Sequence, residues 1–156
     1  MAGLTVALNL APRRVCVITK SSLGINTSSS WAQGGIAAAV SKDDSNESHI
    51  NDTLTTAKGL ANIDAIKEVV NNAKGIIDDL EGYGINFDKN EDGSFNLGLE
   101  GAHSFKRIIR SKGDSSGLEI MRGLIEKVKK SDHITVLENV SIDPVSYTHL
   151  TLPTKP

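Results

Sequence analysis

Short apolar runs alternate with helix-forming segments along most of the chain, and this alternation limits the folds open to it. Residues 15–19 form a continuous apolar run followed by Lys20, which is typical of a strand buried on both faces of a parallel sheet. Further short strands are predicted at residues 107–110 and 134–137. Strands that alternate with helices predict an α/β layered fold with a mainly parallel sheet.

The strongest helix signal spans residues 64–82, where apolar side chains recur at spacings of three and four. Asp64 is predicted as its N-cap, and Gly82 and Gly84 as its stops. The spacing predicts a buried face made of Ile66, Val69, Val70, Ala73, Ile76, Ile77 and Leu80.

A second amphipathic helix is predicted over residues 115–130, and shorter helices over 3–11 and 48–58. Residues 21–30 are rich in Ser, Thr, Asn and Gly and are predicted to form a loop. The Asn-Glu-Asp-Gly sequence at 90–93 favours a hairpin between flanking apolar segments. The inward side chains of the second amphipathic helix are predicted to be Leu118, Met121, Leu124, Ile125 and Val128.

Charge and cysteine content exclude several classes of function. The net charge is -2 and aromatic residues make up 4%, so neither a nucleic acid nor an anionic membrane is expected as a partner. Cys16 is the only cysteine, which excludes internal disulfides and paired-cysteine metal sites. It is interpreted as a small buried hydrophobe and fits a reducing cytoplasm. No metal site and no membrane-spanning segment are predicted.

Two glycine-containing segments are candidates for ligand binding. Gly34 and Gly35 follow a run of serines, and paired glycines suit either close approach to a flat ligand or a tight turn. Gly3 could be the last glycine of a Gly-x-Gly-x-x-Gly turn that holds a pyrophosphate at a helix N-terminus, although an Ala-Gly-Leu sequence is common. Residues 145–156 contain no acid and two of the four prolines, and they resemble an adaptor-derived tail. We therefore expect a domain over residues 1–144 and a non-native tail over 145–156.

Several of these blocks together resemble a known family. The sequence Ala-Gln-Gly-Gly-Ile-Ala at 32–37, after a Ser/Thr-rich loop and a strand that ends in Lys, is similar to the flavoproteins that include succinate dehydrogenase, fumarate reductase and L-aspartate oxidase. The block at 99–110, with Glu-Gly-Ala-His-Ser, and the Asp-Ser-Ser-Gly at 114–117 resemble the L-aspartate oxidase branch. The resemblance covers residues 2–143 and implies an incomplete Rossmann-like FAD-binding domain, without the first strand and the capping domain.

One position separates the branches of this family. The succinate dehydrogenase and fumarate reductase subunits carry a histidine, five residues before the motif's Gln, that bonds covalently to the flavin, whereas this chain has Ser28. The resemblance therefore implies FAD held without a covalent bond. Two alternatives stay open: a fumarate reductase-type subunit with an iron-sulfur partner, and a non-catalytic truncated product.

The resemblance also implies roles for individual residues. Glu100 corresponds to a glutamate that orients the substrate through its amino group, while His103 is equally consistent with a structural hydrogen bond. His49 and His133 are interpreted as surface or helix-capping residues. Ala102 stands where the family has a second glycine. No catalytic residue is expected within the chain, and the positions that match FAD contacts are Gly3, Lys20, Ser29, Ser30, Trp31, Ala32, Gln33, Gly34, Gly35 and Ile36.

The implied reaction is oxidation of L-aspartate to iminoaspartate with oxygen or fumarate as acceptor, the first step of de novo NAD biosynthesis. The resemblance implies a cytoplasmic enzyme with a pathway link to quinolinate synthase. The family's catalytic arginine would lie outside this chain. A chain cut at both ends is expected to be inactive and to bind FAD weakly by itself.

Overall fold

A computed structural model describes residues 1–142. The predicted helices, and the strands predicted at 15–19, 107–110 and 134–137, are confirmed to within two residues at each end. The predicted tail at 145–156 lies outside the described residues. In chain order the elements are α1 (Ala2–Asn9), β1 (Val15–Ile18), a 3-10 helix (Ser28–Trp31), β2 (Ile36–Ala37), α2 (Asn46–Ala57), α3 (Ile63–Gly82), β3 (Leu97–Gly98), β4 (Ile108–Ile109), α4 (Ser116–Lys129) and β5 (Ile134–Leu137).

The strands form two small sheets of different type. β1 pairs in parallel with β5, in a register that places Val15 opposite Ile134. The other three strands form an antiparallel sheet in the order β2-β4-β3. The prediction of a mainly parallel sheet is therefore wrong for residues 1–142. The segment at 99–107 between β3 and β4 is too short for a parallel crossover, which needs about a dozen residues or more.

Strand β1 is covered on one face. Val17 packs against the core beneath α1, whereas Cys16 is exposed and Ile18 is 40% exposed. The prediction of a strand buried on both faces and the interpretation of Cys16 as a buried hydrophobe are wrong here. The physical reason is that α1 and α4 lie on the same side of the parallel pair, and no described element covers the other side.

The core lies between α3, α4, α1 and the two sheets. Helix α3 begins after Asn62, whose side chain accepts hydrogen bonds from the backbone N–H groups of Asp64 and Ala65 at 2.9 and 3.1 Å. Asn62 and not Asp64 is thus the N-cap, because its side-chain oxygen satisfies two of the free backbone N–H groups of the first turn. The buried apolar side chains of α3 and α4 are Val70, Ile77, Leu80, Ile120, Met121, Leu124 and Val128.

Three side chains predicted to be buried are exposed. Val69 of α3 is 71% exposed and Ile76 is 46% exposed, and Leu118 of α4 is 58% exposed. Each lies at the edge of the apolar face of its helix, where the neighbouring elements do not reach. Among the described residues, no helix combines the length and apolar character needed to cross a bilayer.

Candidate functional site

The serine-rich segment before the paired glycines folds as one turn of 3-10 helix. Thr27 caps it, because its hydroxyl oxygen accepts a hydrogen bond from the Ser30 N–H, and the Ser30 hydroxyl donates to the Gly24 carbonyl at 3.0 Å. These local bonds are favoured by serine and threonine, which compete for backbone groups outside regular helices. Residues 31–34 then form an exposed strip in which Trp31 is 76% exposed.

The two adjacent glycines differ in their surroundings. A Cβ atom at Gly35 would collide with the Ile109 carbonyl oxygen and would lie 2.6 Å from the Ile108 side chain. A Cβ atom at Gly34 would meet no atom within 4 Å. Gly35 is therefore explained by close pairing with β4, and Gly34 is the glycine whose backbone stays open to a ligand.

Gly117 at the start of α4 packs closely against the serine-rich segment. A Cβ atom there would collide with the Ser29 carbonyl oxygen and would lie 2.7 Å from Ala32, and the Gly117 N–H donates to the Ala32 carbonyl at 2.9 Å. In the sequence, Gly117 stands out only as the last residue of the Asp-Ser-Ser-Gly block at 114–117. A glycine just inside a helix N-terminus is the signal that could have indicated this close contact.

A cleft of about 360 Å³ lies between the N-terminal part of α1, the whole length of β1 and the loop that follows β1. Gly3, Thr19 and Gly24 line it, and the Met1 amino group donates to the Ser29 hydroxyl at 3.4 Å. No side chain caps the first turn of α1. A helix N-terminus beside the carboxyl end of a parallel strand, with hydroxyl donors nearby, fits the phosphates of a dinucleotide.

The predicted cofactor-binding residues are only partly brought together. Gly3 lines the cleft, Ser29 accepts a hydrogen bond from the Met1 amino group at its edge, and the strip at 31–34 continues from Ser29. Lys20 is exposed just beyond β1, and Ile36 lies within β2.

Glu100 lies on the exposed loop between β3 and β4. Its carboxylate accepts a hydrogen bond from Arg110 at 2.8 Å, and the two side chains are 44% and 37% exposed. The Cγ atom of Arg110 lies 3.0 Å from the position that a Cβ atom on Gly35 would take. Arg110 therefore lies between the substrate-orienting candidate and the paired glycines. Sequence reasoning did not single out this arginine.

A second arginine, Arg107 at the other end of β4, is fully buried. Arg107 donates two hydrogen bonds to Asp44 at 2.7 and 2.8 Å, and one to Asp52 at 2.8 Å. Asp52 also accepts from both the backbone and the hydroxyl of Ser104, and these bonds, together with Arg107, hold the pKa of the Asp52 carboxyl below its usual value. A buried arginine needs such paired carboxylates, because an unpaired buried charge is costly.

Two histidines flank this cluster. His49 is 7% exposed, so its interpretation as a surface or capping residue is wrong: α2 turns it inward against His103, with ring centroids 5.4 Å apart. Burial first, and then the charge of Arg107, lowers the pKa of His49, which favours the neutral ring. His103 Nδ1 lies 3.4 Å from Arg107, and His133 Nε2 lies 3.1 Å from the Ala7 carbonyl oxygen. Within residues 1–142 no group of three or more His, Cys, Asp or Glu side chains is placed to hold a metal ion.

Comparison with known protein families places these features in context. The family described as "FAD binding domain" matches residues 1–148. The chain is 44% identical over 142 residues to the L-aspartate oxidase of Agrobacterium fabrum, and 40% identical over 139 residues to that of Bacillus subtilis. These matches cover 91% and 88% of the chain but only 27% and 26% of the relatives, so the chain spans about a quarter of their length.

Solved structures with the same fold come from related enzymes. Sdh1 of Mycobacterium smegmatis, solved in complex with UQ1, has a TM-score of 0.78 at 30% identity, over 87% of this chain and 25% of its own. A quinol-fumarate reductase solved with menaquinol molecules has a TM-score of 0.81 at 25% identity, over 88% of this chain and 24% of its own. The fold described above is therefore shared with these two solved structures over most of the chain.

Proposed function

The chain belongs to the family of FAD-binding domains, whose cofactor is FAD, and from this premise we propose that it is part of an FAD-dependent L-aspartate oxidase. The observation that carries the proposal is the identity with L-aspartate oxidases, 44% over 142 residues, against 25–30% for the succinate dehydrogenase and quinol-fumarate reductase structures. The reaction converts L-aspartate into iminoaspartate, with oxygen or fumarate as the electron acceptor.

The chain's own residues supply part of the cofactor site in this proposal. The N-terminal turn of α1 and the Ser29 hydroxyl bind the phosphates, and the exposed strip that ends at Gly34 lies along the flavin. Ser28 stands where a covalent attachment would need a histidine, and the chain's histidines lie elsewhere, at 49, 103, 133 and 149. FAD is therefore held by non-covalent contacts alone.

Substrate recognition is proposed for Glu100. Its carboxylate is exposed on the β3–β4 loop, two residues beyond Gly98, in the sheet whose strand β2 begins directly after Gly35. A carboxylate attracts the ammonium group of an amino acid and does not attract the second carboxylate of a substrate such as succinate. Bound FAD supplies the hydride acceptor that the oxidation needs. Within residues 1–142 we assign no catalytic acid or base.

The cellular setting is part of the same proposal. An L-aspartate oxidase acts in the cytoplasm, where it supplies the first intermediate of NAD biosynthesis. Its imine product hydrolyses in water, so an enzyme that consumes it must act promptly, and quinolinate synthase fills that role in this proposal.

The test uses the complete polypeptide that contains this chain, purified with FAD bound. We expect anaerobic L-aspartate to bleach the flavin absorbance and succinate to leave it unchanged. Denaturation with acid should release all flavin into the supernatant, because no covalent bond retains it. Bleaching by succinate and flavin retained in the pellet would instead identify a succinate dehydrogenase or fumarate reductase-type subunit, and a protein that stays colourless with added FAD would overturn both assignments.

A further inference from the structure

Two arginines flank the two residues of strand β4, and both bind the loop at 99–106 that carries Glu100. Arg107 binds its far end indirectly, through Asp52, whose carboxylate accepts hydrogen bonds from the Ser104 N–H at 2.8 Å and the Ser104 hydroxyl at 2.7 Å. Arg110 binds its near end directly, through Glu100. The loop is thus fixed at both ends by one strand.

The surroundings of Arg110 are closely packed. Its guanidinium carbon lies 3.4 Å from the position of a Cβ atom on Gly98, and its Cγ atom lies 3.0 Å from that of a Cβ atom on Gly35. Its Nε is buried and has no hydrogen-bond partner. The stem of Arg110 therefore lies between Gly98 of β3 and Gly35, which directly precedes β2, and only its outer edge reaches Glu100.

We propose that Arg110 is a positioning residue that holds the Glu100 carboxylate beside the paired glycines, ready to receive the ammonium group of the substrate. One carboxylate oxygen, Oε1, accepts from Arg110, which leaves Oε2 without a hydrogen bond from any described residue. The inference rests on the proposed function, because it assumes an amino-acid substrate. The inference adds Arg110 to the proposed substrate site around Glu100 and gives a physical reason why that site selects an amino-acid substrate.

The physical argument is pre-organisation. A glutamate on an exposed loop samples several rotamers, and fixing it when the substrate binds costs conformational entropy. The ion pair fixes the side chain beforehand, and the packed stem of Arg110 limits the movement of the pair as a whole. Removing Arg110 should therefore weaken recognition of the ammonium group without affecting recognition of the carboxylates.

The experiment compares two dicarboxylates that differ in the ammonium group, using the complete FAD-loaded polypeptide. Anaerobic rapid mixing with L-aspartate gives a dissociation constant and a limiting rate of flavin reduction, and the inhibition of that reduction by added succinate gives the dissociation constant of succinate. For Arg110→Gln we expect the L-aspartate constant to rise about tenfold, the succinate constant to change less than about twofold, and the limiting rate to fall less than the affinity. Glu100→Gln should show the same pattern, and Arg110→Lys should restore part of the affinity.

Lys89→Gln is the matched control, because Lys89 forms an ion pair with Glu81 at 2.7 Å and has similar exposure, 43% against 37% for Arg110. Lys89→Gln should change neither the L-aspartate nor the succinate dissociation constant. In Arg110→Gln, an equal rise of the L-aspartate and succinate dissociation constants, or an unchanged L-aspartate constant, would overturn the inference. Either result would leave the proposed function standing. If Arg110→Gln fails to fold, Arg110→Lys and Glu100→Gln decide the question. A wild-type protein that L-aspartate does not reduce would overturn the proposed function, and the inference with it.

Discussion

At the scale of single residues, neighbouring glycines can be required for different reasons. Gly35 is enclosed by the backbone of Ile109 and the side chain of Ile108, whereas Gly34 faces open space. Sequence comparison of motifs treats the two as one feature. In the structure, one glycine allows two strands to pair and the other leaves backbone exposed to a ligand.

Gly35→Ala should therefore destabilise the protein, and Gly34→Ala should not. The new methyl group at position 35 collides with backbone that cannot move without breaking the β2–β4 pairing, so we expect a loss of about 1–3 kcal/mol in the free energy of unfolding. At position 34 the change should stay within about 0.5 kcal/mol. Urea unfolding followed by circular dichroism measures both. Equal changes in the free energy of unfolding at positions 34 and 35 would contradict the assignment of Gly35 to strand pairing and of Gly34 to open backbone.

Ala102 offers a second test at this scale. Its φ is +69°, in the left-handed region where a Cβ atom costs roughly 1–2 kcal/mol and glycine carries no such penalty. Ala102→Gly should therefore raise the free energy of unfolding by up to about 1 kcal/mol, after the entropy lost by the more flexible glycine is included. Ala65→Gly in the first turn of α3 is the control and should lower it by roughly 0.5–1 kcal/mol. A lower thermal midpoint for Ala102→Gly would show that the left-handed backbone carries no strain.

At the scale of elements, α4 is tied to its surroundings by one buried carboxylate. Glu119 is 2% exposed and accepts hydrogen bonds from Arg122 at 2.6 Å, from Lys112 at 2.9 Å and from the Asn86 N–H at 3.5 Å. The bonds from Arg122 above all, and then those from Lys112 and Asn86, lower the pKa of Glu119 to about 2. The contribution of Glu119 to the free energy of unfolding is therefore complete above pH 4.5, which is near the pKa of this carboxyl in the unfolded chain. That contribution is lost as the pH falls through 2.

Glu119→Gln should remove this part of the pH dependence. Between pH 6 and pH 2 the wild-type protein should lose about 3 kcal/mol more of its free energy of unfolding than the variant does. Chemical denaturation at a series of pH values measures the difference, in which the titration of the other carboxyl groups largely cancels. Glu126→Gln, at a side chain that is 51% exposed, is the control and should change the slope little. Parallel curves for wild type and Glu119→Gln would refute the role given to this carboxylate.

Elements differed in how far the sequence could predict them. Helices α3 and α4 followed from apolar periodicity, and β1 and β5 from apolar runs, because these patterns are local. Strand β4 lies within the strand predicted at 107–110, although it has only two residues. Strands β2 and β3 are equally short, and two residues are too few for an alternating pattern to be read. Their pairing with β4 depends on contacts that no local pattern encodes.

The candidate site shows the same limit. The segment at 28–37 and Glu100 could be identified because their residue types match a motif. The burial of Arg107 could not, since its carboxylate partners Asp44 and Asp52 lie 63 and 55 residues away along the chain. His49 was misassigned for the same reason: an imidazole on a polar helix resembles a surface residue until Arg107 and His103 are placed beside it.

At the scale of the whole molecule, the candidate site lies where three parts of the fold meet. The parallel pair and α1 form the cleft, and α4 supports the serine segment through Gly117. The segment before β2 carries the paired glycines, and the loop after β3 carries Glu100. Each part contributes a few groups to a different portion of a long ligand. Affinity for FAD should therefore depend on how much of the cofactor the chain can enclose.

We predict that the isolated chain of residues 1–156 binds FAD only weakly, with a dissociation constant above about 10 μM. Sites that bind ligands of drug size tightly enclose roughly 70–90% of their surface. FAD is larger than such ligands, yet the cleft measures about 360 Å³ and the strip at 31–34 is exposed, with Trp31 at 76%. Much of the flavin would stay in water, so its burial would contribute little to binding.

Quenching of flavin fluorescence, titrated with the purified chain, measures this constant directly. Residual binding at the cleft should be competed by ADP, which carries the same pyrophosphate, and not by riboflavin, because the phosphates are held by α1 and Ser29 while the flavin ring is exposed. Competition by riboflavin alone would place the binding on the exposed strip instead. A sub-micromolar constant would mean that residues 1–156 enclose the cofactor far better than the open cleft indicates.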